Sequence, residues 1–448
     1  MAVTASTIFA LSSGHGRAGI AVIRVSGPRA GHALEALAGR RPRPRFASLR
    51  KLRAPGTSLI LDEALVLFFP APKSETGEDM AELHVHGGRA VIEAVLGALG
   101  GIEGCRMAEP GEFARRAFEN GKLDLTALEG LADLIDAETE TQRAQAVAQA
   151  GGALTRIYDG MRKGILEAQA LVEASIDFSD EDDVSMLAIA EAEASARSLR
   201  GKIEQHLAGA HRGEIIRDGY QVVLAGPPNV GKSSLLNALS RRDAAIVAPE
   251  AGTTRDVIEV RLDLGGLPVV ISDTAGIRTA EGAVEQEGIR RTLAAAARAE
   301  LVLWLGEAGS APLPPPRFSE HAGPAPAVAT VLTKADLVEV RGEGSAAADF
   351  VISAVTGAGI DALTAGIAAR ARAAIGTRDE PVPTQVRYRE HLLRARAHLG
   401  DFLQNREAGV ELRAEDLRRA ADEIGRITGR IDAEAVLGAI FGRFCIGK

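Results

Sequence analysis

Apolar positions follow three patterns along the chain, and each predicts a different architecture. In the first 118 residues, short runs rich in β-branched and aromatic side chains read as buried strands: Gly19–Val25 (GIAVIRV), Ala64–Phe69 (ALVLFF) and Ala81–Val85 (AELHV). Ala90–Leu99 has helical spacing, so this segment is α+β. From Glu119 to about Gly209 the period is helical, with Leu128, Leu131 and Ile135 on one face. The acidic run Phe178–Val184 (FSDEDDV) interrupts it as a solvated loop. From Arg217 to about Arg372 strands and helices alternate, as in a parallel α/β sheet. Within that segment the Pro-rich stretch Ala311–Pro326 reads as a stiff surface connector. From Gln385 the chain is helical again, and Leu437, Ile440, Phe441 and Phe444 form an apolar stripe. Helical regions on both sides of the α/β segment predict a helical domain with the α/β domain inserted in it. The expected boundaries are 1–118 (α+β), 119–216 (helical, first part), 217–378 (α/β) and 379–448 (helical, second part).

Composition narrows the function classes. A length of 448 residues suits about three domains, and 46% hydrophobic with 25% charged residues is ordinary globular usage. The net charge of −8 argues against a generic basic nucleic-acid binder and leaves room for a local basic patch. Two cysteines, Cys105 and Cys445, cannot frame a disulfide scaffold and suit a reducing cytoplasm. The N-terminus does not read as a signal peptide, and no run is long and apolar enough for a transmembrane helix. The expectation is a cytoplasmic protein with no membrane contact.

The α/β segment carries the chemistry. Gly226-Pro-Pro-Asn229-Val230-Gly231-Lys232-Ser233-Ser234 fits G-x-x-x-x-G-K-[ST] between the strand Tyr220–Ala225 and a helix starting near Ser234. Its glycines let backbone N–H groups turn toward phosphate, and the helix N-terminus adds positive potential. Lys232 is placed for the β- and γ-phosphates and Ser233 for Mg²⁺. Asp273-Thr274-Ala275-Gly276 follows a second strand, where Asp273 can hold the Mg²⁺ hydration shell and the Gly276 N–H can meet the γ-phosphate. Thr333-Lys334-Ala335-Asp336 follows a third. The Asp336 carboxylate can accept from the paired N–H donors of guanine, which adenine lacks, so the pattern reads GTP over ATP. Ser353-Ala354-Val355 would back the base. The order resembles the Ras-like translation-factor GTPases. One departure is Thr333 where such elements usually begin with Asn.

Hydrolysis needs groups beyond these. Ile277 follows Gly276 where Ras-like enzymes carry a water-orienting Gln, and Ile cannot do that work. Asn229 could hold a monovalent cation such as K⁺ against the phosphates, or only cap the loop. In Ala248-Pro249-Glu250-Ala251-Gly252-Thr253-Thr254-Arg-Asp256, Thr254 is a candidate Mg²⁺ ligand, and preceding carbonyls could complete a K⁺ cage. Glu285 is the first choice to position the attacking water, with Glu281 and Glu287 as rivals.

The whole chain resembles the MnmE (TrmE) family of tRNA wobble-uridine modification GTPases. The resemblance rests on Gly19-Ile-Ala-Val-Ile-Arg24-Val-Ser-Gly27, Thr76-Gly-Glu-Asp79 with Glu82 and His86-Gly-Gly88, and Pro110-Gly-Glu-Phe113 with Asn120-Gly-Lys122-Leu-Asp124. Gly252-Thr-Thr-Arg-Asp256 and the terminal Phe444-Cys-Ile-Gly-Lys448 complete it. It implies a Ras-like P-loop G domain inserted into a helical domain, preceded by an N-terminal α+β folate-binding-like domain that dimerises the protein. It also implies G domains that approach each other with K⁺ and GTP bound. A flavoprotein of the MnmG (GidA) family, in a heterotetramer, would bring FAD and NADH chemistry. Together they would add a carboxymethylaminomethyl or aminomethyl group at C5 of the wobble uridine of certain tRNAs, using a 5,10-methylene- or formyl-tetrahydrofolate one-carbon unit. By the resemblance, Asn229, Ala248, Glu250 and Thr253 match K⁺ ligands, the middle two through backbone carbonyls. Ser233 and Thr254 match Mg²⁺ ligands, Glu285 the water-orienting glutamate, and Arg24, Glu82, Lys122 and Lys448 folate contacts.

Cys445 stands in the terminal motif, where a thiolate could act as nucleophile or acid/base, or could simply line the folate site. Cys105 reads as a small core residue. His84 and His86 alternate along a strand and face one side; with no third ligand nearby in sequence, a structural role is favoured. The G-domain marks are shared with Era- and EngA-like assembly switches, whereas the N-terminal motifs and Phe444–Lys448 favour the tRNA-modifying enzyme. A stand-alone folate-dependent methyltransferase would leave the G domain unexplained.

Overall fold

The computed structural model describes residues 6–14, 16–177, 182–242, 244–246, 258–273, 299–309, 326–338, 348–376, 381–407, 409–444 and 447. Ala248–Thr254, Thr274–Gly276, Ile277, Glu281, Glu285, Glu287, Cys445 and Lys448 lie outside the described residues. In chain order the elements begin β1 (Thr7–Leu11), β2 (Ala18–Ser26), α1 (Ala30–Ala38), β3 (Ser48–Arg53), β4 (Ile60–Phe69), β5 (Met80–Gly87), α2 (Arg89–Gly100), β6 (Cys105–Met107) and α3 (Glu112–Glu119). Helices α4 (Leu125–Ile135), α5 (Glu140–Ala150), α6 (Ala153–Asp177), α7 (Asp182–Ala208) and α8 (Ala210–Asp218) follow. Next come β7 (Tyr220–Ala225), α9 (Lys232–Ser240), β8 (Ala245–Ile246), β9 (Ile258–Asp263), β10 (Pro268–Asp273), β11 (Leu301–Glu307), β12 (Ala327–Thr333) and β13 (Phe350–Val351). The chain closes with α10 (Ile360–Ile375), α11 (Val386–Gln404), α12 (Val410–Thr428) and α13 (Glu434–Phe441). Helix α7 already starts at Asp182, so the acidic run is helical from there on. Among the described residues no helix is long and apolar enough to cross a membrane.

The chain divides into two compact units. The first comprises 1–132, 149–166 and 421–448. Its sheet runs β3-β4-β5-β2-β1-β6, antiparallel except for the parallel β1–β6 pair. Alternation sends Phe9, Ile23, Val25, Leu83 and Val85 to one face, where α1 and α2 cover them with Leu34, Leu37, Val95 and Leu99. Ile8 and Ala10 take the other face and pack on Phe113 of α3. The same parity carries Arg24, Glu82 and His84 to that second face. At the C-terminal end Ile440, Phe441 and Phe444 are buried against Ala114, Leu125, Leu128 and Ala132, with Leu437 partly buried beside them. Gly111 shows how close this packing is: at φ +69, a Cβ there would stand 2.9 Å from Phe441. Cys105 is half-buried on β6, and burial pushes its thiol pKa up, partly countered by Arg29.

The second unit comprises 133–148 and 167–420. Its sheet runs β13-β12-β11-β7-β10-β9-β8, with β13 through β10 parallel and β9 and β8 antiparallel. Val222 and Leu224 of β7, buried between neighbouring strands, pack with Leu235 and Leu239 of α9 and with Leu363 and Ile367 of α10 in one core. Beside it α7 packs on α11. Glu193 of α7 accepts from Arg413 of α12 at 2.9 Å and from Arg406, just past the end of α11, at 2.7 Å. The Arg413 guanidinium also lies 4.6 Å from the centre of the Phe402 ring. Burial raises the Glu193 carboxyl pKa, but the surrounding arginines overcome it and hold it below its ordinary value.

Candidate functional site

The parallel pairing of β7 delivers Gly226 to the C-terminal edge of the sheet. Its φ is +145, and a Cβ there would stand 2.4 Å from the Leu305 carbonyl oxygen of β11, so only glycine turns the chain at this point. Asn229 (φ +59) and Gly231 (φ +99) are left-handed, after which α9 begins at Lys232. Such a loop aims successive N–H groups into one concavity at a helix N-terminus, an arrangement that suits phosphate. Lys232 is buried, and its Nζ donates to the carbonyls of Gly226 (3.0 Å) and Pro227 (2.8 Å). Burial lowers its pKa against the opposing pull of Asp273. The β7–β10 register sets Asp273 opposite Leu224, and Ser233 Oγ donates to Asp273 Oδ2 at 2.8 Å. A hydroxyl and a buried carboxylate side by side form an all-oxygen pair that fits a hard cation such as Mg²⁺.

The base-reading elements lie at the ends of β12 and β13. Thr333 is buried, and its Oγ1 reaches the Val230 carbonyl oxygen at 2.5 Å and that of Gly306 at 3.1 Å. The residue that departs from the usual Asn thus ties its own loop to the phosphate loop. Lys334 (φ +59) extends its Nζ to Glu307 Oε1 at 2.8 Å. Asp336 Oδ1 accepts from Ser353 Oγ at 2.5 Å, and the Thr356 N–H donates to the same Oγ at 3.1 Å. Ser353 is buried and positions Asp336, while Val355 is exposed. A cavity of about 350 Å³ opens beside these loops, lined in part by Ser234, Asn237, Arg241, Ala354 and Thr356. Sequence reading misses Glu307 and the tie made by Thr333. Glu307 ends the strand before the base-reading one, and the parallel register pairs it with Thr333.

A second group of the expected site residues meets in the first unit. Arg24 pairs in register with Ala10 on one side and Glu82 on the other. Its guanidinium contacts Glu75 at 2.9 Å and Glu82 at 3.4 Å, and its Nε is buried with no hydrogen-bond partner. The Lys122 side chain runs beside Gly77, whose Cβ, were there one, would stand 3.4 Å from Lys122 Cε. Ser12, following β1, donates its Oγ to the Gly447 carbonyl at 2.7 Å, which anchors the C-terminal tail two residues along β1 from the Ala10–Arg24–Glu82 row. An orphaned buried N–H beside a carboxylate suits a ligand that both accepts and donates hydrogen bonds, such as a folate. His84 Nε2 meets Glu82 Oε2 at 3.2 Å, and His86 Nδ1 meets Asp62 Oδ1 at 2.7 Å. Each histidine therefore has its own carboxylate partner. Burial opposes ionisation of Asp62, but hydrogen bonds from the His86 backbone and ring hold its carboxyl below the usual range.

A family model for the N-terminus of the GTP-binding protein TrmE matches residues 7–122. A second, for the MnmE helical domain, matches residues 125–445, well over half of the chain. The chain belongs to the MnmE family. The tRNA modification GTPase MnmE of Parvibaculum lavamentivorans is 54% identical over 447 residues, covering 99% of this chain and 100% of the relative. That of Methylorubrum populi is 53% identical over 454 residues, covering 100% and 99%. Among solved structures, the G domain of the T. maritima FeoB iron transporter covers 34% of this chain and 98% of its own at 23% identity, with a TM-score of 0.24, too low to carry an argument. This MnmE chain is therefore a GTPase of tRNA modification. Its fold is an α/β domain with a phosphate-binding loop, set in the chain between helical segments and preceded by an α+β segment.

Proposed function

We propose that this MnmE protein hydrolyses GTP to drive modification at C5 of the wobble uridine in certain tRNAs, together with an MnmG (GidA) family flavoprotein. Its amides from Asn229 to Ser234 hold the phosphates, and Lys232 balances their charge. Ser233 and Thr254 hold Mg²⁺, with Asp273 positioned by Ser233, and Gly276 meets the γ-phosphate. Asp336 reads guanine while Lys334, Ala335 and Ser353–Val355 frame the base. Asn229, Thr253 and the carbonyls of Ala248 and Glu250 hold K⁺, which supplies the positive charge that an arginine finger supplies elsewhere. Glu285 orients the water that attacks the γ-phosphorus as the bond to the β-phosphate oxygen breaks. G domains pair across a homodimer in the K⁺- and GTP-bound state.

Arg24, Glu82, Lys122 and Lys448 bind a 5,10-methylene- or formyl-tetrahydrofolate, whose glutamate tail seeks cations and whose pterin edge seeks a carboxylate. FAD and NADH act on the partner, and the Cys445 thiolate enters the modification step as nucleophile or acid/base. Domain boundaries at 118, 216 and 378 assign folate, helical and GTPase work to separate stretches. The observation that carries this reading is the full-length relationship to tRNA modification GTPases, spanning both the N-terminal and helical regions as well as the phosphate loop. Mass spectrometry of wobble-uridine nucleosides from cells lacking the protein tests it. Loss of the aminomethyl-type uridines, restored by the wild-type chain and not by Glu285→Ala, is the expected result. Unchanged nucleosides would turn attention to a ribosome-assembly role.

A further inference from the structure

Helices α11 and α12 form a hairpin whose polar face carries a cluster outside the nucleotide and folate regions. His398 and Asp401 stand at i and i+3 on α11, and thus on one face, while Asp416 comes from α12. One ligand atom from each of the three lies within 4.8 Å of the others. Two carboxylates this close repel unless a cation joins them. Arg419, whose charge reaches Asp416, makes its hydrogen bond to Glu415 instead, at 2.9 Å, as Arg418 does at 2.7 Å. No hydrogen bond or ion pair reaches Asp401 or Asp416 side chains among the described residues. His398 Nδ1 is buried with no hydrogen-bond partner, although an imidazole nitrogen shut away from water ordinarily has one.

We propose that His398, Asp401 and Asp416 bind a divalent transition-metal ion of the Zn²⁺ class. One neutral imidazole and two carboxylates balance a 2+ charge. An imidazole in the set selects Zn²⁺-like ions over Mg²⁺, which favours oxygen alone. Ligand atoms of a tetrahedral site with bonds of about 2.0–2.2 Å lie roughly 3.3–3.6 Å apart, so small side-chain rotations close the sphere. One position stays open to water. The ion would pin α11 to α12 across the short turn between them.

The test uses the full chain stripped of metal with EDTA, then saturated with Mg²⁺ and GDP so that the nucleotide site is filled. Zn²⁺ is titrated calorimetrically into wild type, His398→Ala, Asp401→Asn and Asp416→Asn. Wild type takes up one equivalent that each variant loses or binds at least about tenfold more weakly, since even changes behind a metal's ligands cost that much. Zn²⁺ also raises the melting temperature of wild type and not of the variants. Asp401 is exposed, so Asp401→Asn keeps the test valid if a more buried variant fails to fold. Absence of Zn²⁺ binding by wild type, or unchanged uptake by Asp401→Asn, overturns the proposal. Displacement of the bound ion by equimolar Mg²⁺ would also overturn it.

Discussion

The hydroxyl of Thr333 lies 2.5 Å from the carbonyl oxygen of Val230, so the base-reading loop and the phosphate loop hold each other directly. Valine at position 333 keeps the shape and removes the bond. A buried carbonyl left without its donor costs about 1–3 kcal/mol. Thr333→Val should therefore weaken GDP and GTP binding roughly five- to a hundredfold with the fold intact. Titration of a fluorescent GDP analogue checks this, with Thr333→Ser expected to recover most of the loss. Equal affinity in Thr333→Val and wild type would mean that the tie does not shape the site.

Ser353 acts on the base through Asp336. Its Oγ donates to the carboxylate at 2.5 Å and is itself fixed by the Thr356 N–H. Ser353→Ala leaves Asp336 in place but free to rotate, and should raise the Kd for GDP about three- to tenfold. Asp336→Asn removes the acceptor for the paired guanine N–H donors and should cost far more. Competition by xanthosine diphosphate separates the two variants. Asp336→Asn should gain affinity for the xanthine base, because an amide can donate where the carboxylate could only accept. Ser353→Ala should not.

Motifs whose residues are neighbours in the chain are legible from the amino-acid order alone. Phosphate-loop spacing depends on local backbone geometry, and Gly226, Asn229 and Gly231 take left-handed or otherwise non-helical angles that the pattern encodes. The C-terminal stripe ending at Phe444 is equally legible, because helical spacing alone marks a buried face. Pairings that depend on tertiary folding are hidden. Thr333 meets a loop 103 residues away, and Glu193 meets Arg413 across 220. Strand β3 (SLRKLR) gives no clear signal because only Leu52 of its six residues is buried, so alternation has one apolar residue to act on. The start of α7 inside the acidic run is equally hidden, because a run of charged residues offers no apolar periodicity to mark a helix.

Breaking the Glu193 cluster should destabilise the helical part of the second unit. Arg413 is almost wholly buried, and its removal leaves the Glu193 charge with the more exposed Arg406 and Arg197. Arg413→Ala should cost about 3–5 kcal/mol, the usual consequence of stranding half of a buried pair. The double variant Arg413→Met with Glu193→Leu should recover part of that loss, because no charge remains to be stranded. Urea unfolding monitored by circular dichroism measures both. A loss under about 1 kcal/mol in Arg413→Ala, the scale of an exposed pair, would show that Arg406 and Arg197 suffice.

Glu112 gives the first unit a pH dependence of defined sign. Burial raises its pKa, but Arg106, the Glu109 N–H and Arg116 together overcome that and hold it below the ordinary glutamate value. A carboxyl with a depressed folded-state pKa adds stability above its unfolded value of about 4.3 and loses it as pH falls through the folded value. Wild type should therefore exceed Glu112→Gln in unfolding free energy at about pH 7, and the gap should shrink progressively below about pH 4. Denaturation of both proteins across roughly pH 3–7 measures this; a gap that stays constant would assign the loss to packing instead of charge.

The C-terminal tail offers a way to separate the two proposed sites. Gly447 has φ +102, and a Cβ there would stand 2.0 Å from the Leu11 carbonyl oxygen, beside the Ser12 hydroxyl that donates to the Gly447 carbonyl. Alanine at this position cannot sit where glycine sits, so the tail must leave β1. If Lys448 contributes to the folate site, Gly447→Ala should weaken binding of 5-formyl-tetrahydrofolate at least about tenfold by calorimetry, consistent with losing a charge-assisted contact. GTP hydrolysis with K⁺ should stay within about twofold of wild type, because the phosphate loop belongs to a different unit. Lys448→Ala should reproduce the folate loss without moving the backbone. Weak folate binding in Gly447→Ala with normal binding in Lys448→Ala would place the contact on the tail backbone, and normal binding in both would remove the tail from the site.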